Sequence, residues 1–167
     1  MPVPDWIEAT FTASVDCRYV LHVPDTVHDK TILAIALHGY GQNPADMLRL
    51  TRIVLGRDVI IASIAGPNQH YLQDKPGGVE IGYNWGVRDH WQSAIRLHTS
   101  MVDAVRSEMN QQFGITPART LLVGYSQPVG LNYRYAGTYP DNIGALLAIG
   151  GGVPKDGRDE CEPLRCA

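Results

Sequence analysis

The sequence has no long hydrophobic run and no recognisable export signal. No window approaches the run of about 18 apolar residues that indicates a membrane-spanning helix. The first residues, MPVPDWIEATF, contain neither the basic start nor the apolar centre of a secretory signal peptide. We therefore expect a cytoplasmic protein without an integral membrane segment.

Clusters of basic residues are also missing. The chain carries 14 Lys and Arg against 17 Asp and Glu, a formal net charge of -3, and no stretch gathers a run of Lys and Arg. Proteins that bind nucleic acid or an anionic membrane surface need such a positive patch. The charge pattern argues against nucleic acid as a partner and favours a small-molecule substrate.

Cysteine is scarce, which argues against a disulfide framework. The three cysteines are Cys17, Cys161 and Cys166, and the first is far from the other two in sequence. The last two lack the neighbouring His or Cys residues that a zinc site needs. We expect reduced thiols, no metal and no cofactor.

What the sequence does contain is a globular composition. Of its 167 residues, 44% are hydrophobic and 19% are charged, with 17 Gly and 11 Pro. This length allows one compact domain, since domains hold roughly 100 to 200 residues. We expect one domain over 1–167, with its core in 31–154 and a polar tail in 155–167.

Continuous apolar runs alternate with segments of helical spacing. Such runs predict strands buried on both faces, and apolar residues three and four apart predict helices. Imperfect alternation over 16–23 predicts an antiparallel edge strand. Together they predict an α/β fold with three layers, a mostly parallel sheet with helices on both faces. The other predicted strands are 31–37, 58–64, 119–123 and 145–149, and the helices begin near Pro44, Trp91 and Pro128.

A stretch of over 20 residues, from Ala65 to about Arg88, shows no clear period. Loops of this length in a compact domain are usually functional. We expect this stretch to be a long loop that walls a pocket.

The residues that carry chemistry lie at two glycine turns. GYS at 124–126 joins a buried strand to a helix, where a nucleophile elbow would lift Ser126 above the carboxyl ends of the strands. A second turn, HGYG at 38–41, ends an earlier strand of the same sheet. In that geometry the backbone N–H groups of Tyr40 and Gln127 would bind an oxyanion.

These segments resemble the α/β-hydrolase superfamily, in particular its small bacterial carboxylesterase and lysophospholipase-like branch, which is similar to dienelactone hydrolases. The resemblance implies a serine hydrolase in which Ser126 attacks a short-chain carboxylic ester and carries the acyl group until water releases it. The matching segments are LHGYGQN (37–43), GPN (66–68), YNWG (83–86), GYSQPVGLNYRYAGTYP (124–140) and AIGGGVP (148–154).

The resemblance also implies a substrate site. Gly39 and Gly41 would approach the ester, and Tyr40, Tyr83 and Trp85 would form an apolar wall for a small acyl or alcohol group. The alternative for these aromatic residues is ordinary anchoring of the loop.

Two departures from the family pattern matter. Pro128 replaces the last glycine of GxSxG, which leaves the Gln127 N–H intact but is expected to displace the elbow slightly. None of the six histidines follows Ser126, although the superfamily's base comes last in sequence. The tail looks like unrelated sequence, as truncation or a shifted reading frame would produce. We therefore expect a minimal fold that lacks the last strands.

A substitute base is needed, and the candidates are His90 and His38, with Asp156 as candidate acid. The alternatives are a structural His38, a solvated His90 and a solvated tail around Asp156. His70 flanks the same loop as His90, while His98 lies on an apolar helix face and is expected to be a core residue.

We expect a carboxylesterase-type serine hydrolase with a substitute or borrowed base. The alternative is a catalytically inactive protein of the same fold that serves as a binding or scaffold module. The strand at 145–149 would be left as a sheet edge, and unpaired edges favour strand pairing between chains. We therefore also expect a homo-oligomer.

Overall fold

A computed structural model describes residues 6–72, 78–86 and 89–155. Every helix and strand predicted from the sequence is present, with bounds that differ by a few residues. The strands are Tyr19–His22 (β1), Leu33–Leu37 (β2), Ile60–Ile64 (β3), Asn68–Leu72 (β4), Glu80–Asn84 (β5), Thr120–Tyr125 (β6) and Ala145–Ile149 (β7), and the helices are Pro44–Leu55 (α1), Trp91–Phe113 (α2) and Val129–Thr138 (α3).

Five of the strands form one sheet in the order β1-β3-β2-β6-β7. β1 is antiparallel to β3, and all the other pairs are parallel. Leu33 of β2 pairs with Ile60 on one side and Thr120 on the other, so β2 lies at the centre. The predicted α/β class and the antiparallel edge strand are confirmed, and β7 is the opposite edge within the described part of the chain.

Helices cover both faces of this sheet. α1 packs through Met47 on one face, and α2 and α3 pack on the other. Burial on both faces explains why β2 and β3 are continuous apolar runs with no exposed residue. α2 is amphipathic, and none of the three described helices could span a lipid bilayer.

The stretch at 65–88 contains a β-hairpin rather than only the expected long loop. β4 and β5 form a separate antiparallel pair in which Asn68 lies opposite Asn84 and Leu72 opposite Glu80. β4 is polar and mostly exposed, and β5 is buried only over its last three residues, Gly82 to Asn84, so no apolar period marks either strand. The hairpin is instead fixed by a tertiary contact.

That contact is with the glycine turn after β2. The Gly41 N–H donates to the Tyr83 carbonyl at 2.9 Å, and the Tyr83 N–H donates to the Gln42 carbonyl at 3.1 Å. A Cβ on Gly82 would lie 2.8 Å from the Gly41 oxygen, which is too close for any side chain. The hairpin and the turn therefore approach each other at backbone distance.

His98 of α2 is a core residue, as the sequence predicts. It is 2% exposed, and its Nε2 lies 2.9 Å from Asn132 Oδ1, so that it donates to this oxygen. The rings of Trp85 and Tyr135 meet it edge-on. Burial lowers the pKa of His98 from 6.5 to about 4, against the smaller opposing effect of the Asn132 bond.

This depressed pKa predicts an acid-sensitive contribution to stability. The unfolded chain takes up a proton at His98 near pH 6.5, whereas the folded protein resists it until about pH 4. The contribution is therefore complete above pH 6.5 and is lost as the pH falls toward 4. Between pH 7.5 and 4.5 we expect wild type to lose about 2 to 3 kcal/mol more unfolding free energy than His98→Gln.

Urea unfolding at both pH values measures this difference. Gln retains a donor toward Asn132 but does not titrate, so the other ionisable groups cancel in the comparison. Equal losses in the two proteins would contradict the assignment of His98 as a buried neutral histidine.

Candidate active site

Ser126 lies in a tight turn between β6 and α3. Its φ of 61° is in the left-handed region, which non-glycine residues seldom adopt. Its N–H donates to the Ile149 carbonyl at 2.8 Å, and its own carbonyl accepts from Val129 at 3.2 Å. A Cβ on Gly124 would lie 2.6 Å from Asn132 Nδ2, so α3 requires glycine there. The side chain of Ser126 is thus held out from the sheet and is exposed.

Pro128 fits this turn. It has φ -75° and ψ -8°, which are helical values within reach of the proline ring, and it stands at the N-cap of α3. Ser126 keeps its left-handed conformation beside it. The replacement of the last motif glycine is therefore compatible with an elbow at this position.

The glycine turn after β2 lies against this elbow. The Gly39 N–H donates to Gln42 Oε1 at 2.8 Å, and Gly41 takes φ 75°. A Cβ on Gly39 would lie 2.9 Å from the ring of Tyr125, the residue before Ser126. We call this turn, residues 39–42, the glycine loop.

Two backbone N–H groups in these turns have no acceptor among the described residues. They belong to Tyr40 and Gln127, whereas the amides of Gly39, Gly41 and Ser126 are all bonded. These are the two amides that the sequence predicts as oxyanion donors.

Trp85, the residue after β5, is hydrogen-bonded to residues at both glycine turns. The Trp85 indole N–H donates to the His38 carbonyl at 2.7 Å, and the Trp85 backbone N–H donates to Gln127 Oε1 at 3.1 Å. Gln127 Nε2 in turn donates to the Gly86 carbonyl at 2.9 Å.

The aromatic residues expected to form a wall are placed differently from one another. Tyr83 is 5% exposed and Trp85 is 1% exposed, whereas Tyr40 is 60% exposed. Tyr83 packs under the guanidinium of Arg18, 5.1 Å from the ring centre, and near His38, so it anchors the hairpin. Trp85 also lines a cavity.

The cavity has a volume of about 410 Å³ and is lined by the ends of the hairpin and the start of α2. His90 lies at its rim, exposed, as the N-cap residue of α2. His90 has φ 62°, and it and Ser126 are the only non-glycine residues at positive φ among those the structure describes. Ser126 itself is not a lining residue. The lining consists of Pro67, Asn68, Asn84, Trp85, Gly86, Asp89, His90, Ser93, Ala94 and Leu97.

His38 does not fit the role of base. Its ring is fully buried, and Nδ1 donates to the Gly39 carbonyl at 2.8 Å while Nε2 accepts from the Gly66 N–H at 2.9 Å. Burial lowers the pKa of His38, and the Gly39 bond opposes this effect less strongly. Both ring nitrogens are occupied, so His38 is a structural histidine, the alternative that the sequence left open.

His70 lies on β4 beneath Tyr40, with 4.9 Å between ring centres. The Gly86 N–H donates to Asn84 Oδ1, so the Asn84 NH₂ group faces His70 Nδ1 at 3.2 Å. Nδ1 must therefore accept, and neutral His70 carries its proton on Nε2, which has no partner within the described ranges. This tautomer offers a donor, not a base.

Asp156, the candidate acid, lies outside the described residues. Sequence reasoning also missed three amide side chains that organise the site: Gln42, Asn84 and Gln127. Gln127 bonds backbone groups of Trp85 and Gly86, about 40 residues away, and no local pattern signals such a contact. Gln42 bonds the Gly39 N–H within its own turn, and Asn84 bonds the Gly86 N–H and the His70 ring. Among the described residues, no three His, Cys, Asp or Glu side chains come together as a metal site requires.

The sequence matches no protein-family model and no curated protein. Its structure is similar to those of several esterases. The Bacillus cereus carboxylesterase is 17% identical, with a TM-score of 0.59 over 83% of this chain and 62% of its own. Esterase PE8 is 22% identical, with a TM-score of 0.63 over 83% and 66%. The phospholipase/carboxylesterase from Dyadobacter fermentans is 19% identical, with a TM-score of 0.61 over 85% and 63%.

These similarities establish the fold. The chain has the α/β-hydrolase fold, as the resemblance of its motifs implies. It spans between 62% and 66% of the length of these three esterases.

Proposed function

We propose that this protein is a serine hydrolase that cleaves carboxylic esters with short acyl chains. The observation that supports this most is the left-handed turn at Ser126, which lies against a loop with an unbonded amide. Acyl transfer needs an exposed hydroxyl and backbone donors for the oxyanion, and the Tyr40 and Gln127 amides, which have no acceptor among the described residues, lie in the two turns that meet here.

The reaction follows from this arrangement. Ser126 Oγ attacks the ester carbonyl carbon, its proton passes to a base, and the carbonyl electron pair becomes an oxyanion bound by the Tyr40 and Gln127 amides. The C–O bond to the alcohol then breaks, and the base returns the proton to the departing oxygen. Water repeats the sequence on the acyl-serine and releases the carboxylic acid.

We assign the base to His90, or to a histidine brought by another subunit. His90 is exposed at a cavity, whereas His38 and His98 are buried and bonded and His70 is held as a donor. Asp156 stays the proposed acid. The cavity beside Trp85 has room for a small acyl group, and Gly39 and Gly41 allow the ester to approach the loop backbone.

The first prediction from this proposal concerns the nucleophile. A fluorophosphonate probe should label the protein at one residue, and Ser126→Ala should abolish both labelling and hydrolysis of p-nitrophenyl acetate. Labelling requires an activated serine, so it also reports that a base lies within reach. Ser100→Ala, which removes an exposed hydroxyl on α2, is the matched control and should change neither readout.

Mass spectrometry of the labelled peptide identifies the residue. Folded protein that remains unlabelled would replace the proposal with the alternative, an inactive hydrolase-fold module that binds a partner.

The second prediction concerns the base. His90→Asn should lower kcat for p-nitrophenyl acetate by about 10²- to 10⁴-fold, the usual contribution of a general base. Asn tolerates the left-handed backbone that His90 adopts, so the turn is preserved. His28→Asn, an exposed change near the amino end of β2, serves as control. Equal kcat values for the two variants would show that no base is supplied by His90.

The third prediction concerns the edge at β7. Within the described residues β7 is paired only with β6, and its apolar residues Leu147 and Ile149 are partly buried. We propose that a second copy of the chain covers this edge, since an unpaired apolar edge favours association. Analytical ultracentrifugation at micromolar concentration should show a homo-oligomer, and a soluble, stable monomer would contradict it.

A further inference from the structure

The side chain of Gln127 is bonded at both ends to one short piece of backbone. Oε1 accepts from the Trp85 N–H at 3.1 Å, and Nε2 donates to the Gly86 carbonyl at 2.9 Å. Because a backbone N–H can only donate and a carbonyl can only accept, these partners fix which end of the amide is which. These two bonds resemble the hydrogen-bond pair between two β-strands, except that one partner is a side chain.

Trp85, one of the two residues bonded to the Gln127 side chain, is also hydrogen-bonded next to the glycine loop. The Trp85 indole N–H donates to the His38 carbonyl at 2.7 Å, immediately before Gly39. The hairpin that ends in Trp85 also pairs with the loop through Tyr83 and Gln42. Gln127 therefore connects the elbow to the loop across the site.

The peptide between Ser126 and Gln127 has a backbone hydrogen bond at its carbonyl but not at its N–H among the described residues. Pro128, which follows, has no N–H to donate. The N-terminus of α3 has no side-chain cap. The Ser126 carbonyl accepts from the Val129 N–H at 3.2 Å, and the Ser126 N–H, which belongs to the preceding peptide, donates to the Ile149 carbonyl. The Gln127 side chain is thus a second restraint on this peptide, on the side of its N–H.

We propose that the Gln127 side chain is a positioning residue that fixes the direction of its own backbone N–H toward the oxyanion. This inference rests on the proposed esterase function. The charge that this N–H meets is present only in the transition state, so loss of the restraint lowers kcat and leaves KM nearly unchanged.

The test uses Gln127→Glu, which has the same shape but loses a donor. At pH 8 the new carboxylate can accept from the Trp85 N–H. It has no hydrogen to donate to the Gly86 carbonyl, so that bond is lost. At low pH the protonated acid has one O–H donor and one acceptor and can restore both bonds. The variant should therefore be impaired at high pH and recover at low pH relative to wild type.

We expect kcat for p-nitrophenyl acetate to fall about 10- to 100-fold at pH 8, somewhat less than when an oxyanion donor is removed outright. KM should stay within about threefold, as for an interaction made only in the transition state. The ratio of variant to wild-type kcat should rise toward one as the pH is lowered to 5. Titration of the catalytic base cancels in this ratio.

Two further variants complete the design. Gln127→Met lacks both bonds, so its kcat should be reduced at every pH without recovery. Gln111→Glu makes the same chemical change at an exposed position near the end of α2 and should match wild type throughout. Circular dichroism of each variant confirms that it is folded.

The outcomes separate the two proposals. An active wild type with unimpaired Gln127→Glu or Gln127→Met overturns the positioning role alone, as does a kcat loss in Gln127→Glu that shows no recovery at low pH. A folded wild type that neither hydrolyses esters nor reacts with fluorophosphonate overturns both the esterase function and the role of Gln127.

Discussion

The structure of the site depends on one strained turn, the left-handed backbone at Ser126. It reverses the chain between β6 and α3 over so few residues that Gly124 must lie against Asn132. The bond from the Ser126 N–H to Ile149 couples the turn to the neighbouring parallel strand. Strain of this kind persists only where the surroundings over-determine it, and here two strands and a helix do so.

The sequence predicts the sheet well because its parallel strands are short apolar runs, of which β2 and β3 are buried throughout. Helix starts are also predictable where the signal is local: α1 begins at Pro44, as expected, and the Asn43 side chain accepts from the Asp46 N–H there. The β4-β5 hairpin was not predictable, because no apolar period marks its strands and its position is set by backbone contact with Gly41. Local patterns predict apolar strands and amphipathic helices, whereas the hairpin depends on contacts between residues that are distant in sequence.

The same limit applies to the site. The two glycine turns were visible because an elbow needs small residues in sequence order. The hydrogen-bond partners and tautomers of the histidines could not be predicted. Nε2 of His38 accepts from the Gly66 N–H, 28 residues away, and the tautomer of His70 is set by Asn84, 14 residues away. A histidine's chemistry depends on which nitrogen is free, and that depends on partners no motif encodes.

The turn at Ser126 also has an evolutionary consequence. A left-handed conformation costs a residue with a side chain roughly 1 to 2 kcal/mol, and glycine avoids this cost. If Ser126 acts as proposed, folding stability and ester chemistry favour different amino acids at this position. A lineage that no longer used the hydroxyl would gain stability from a single change to glycine, so a serine kept here at a thermodynamic cost is what the proposed function would lead one to find.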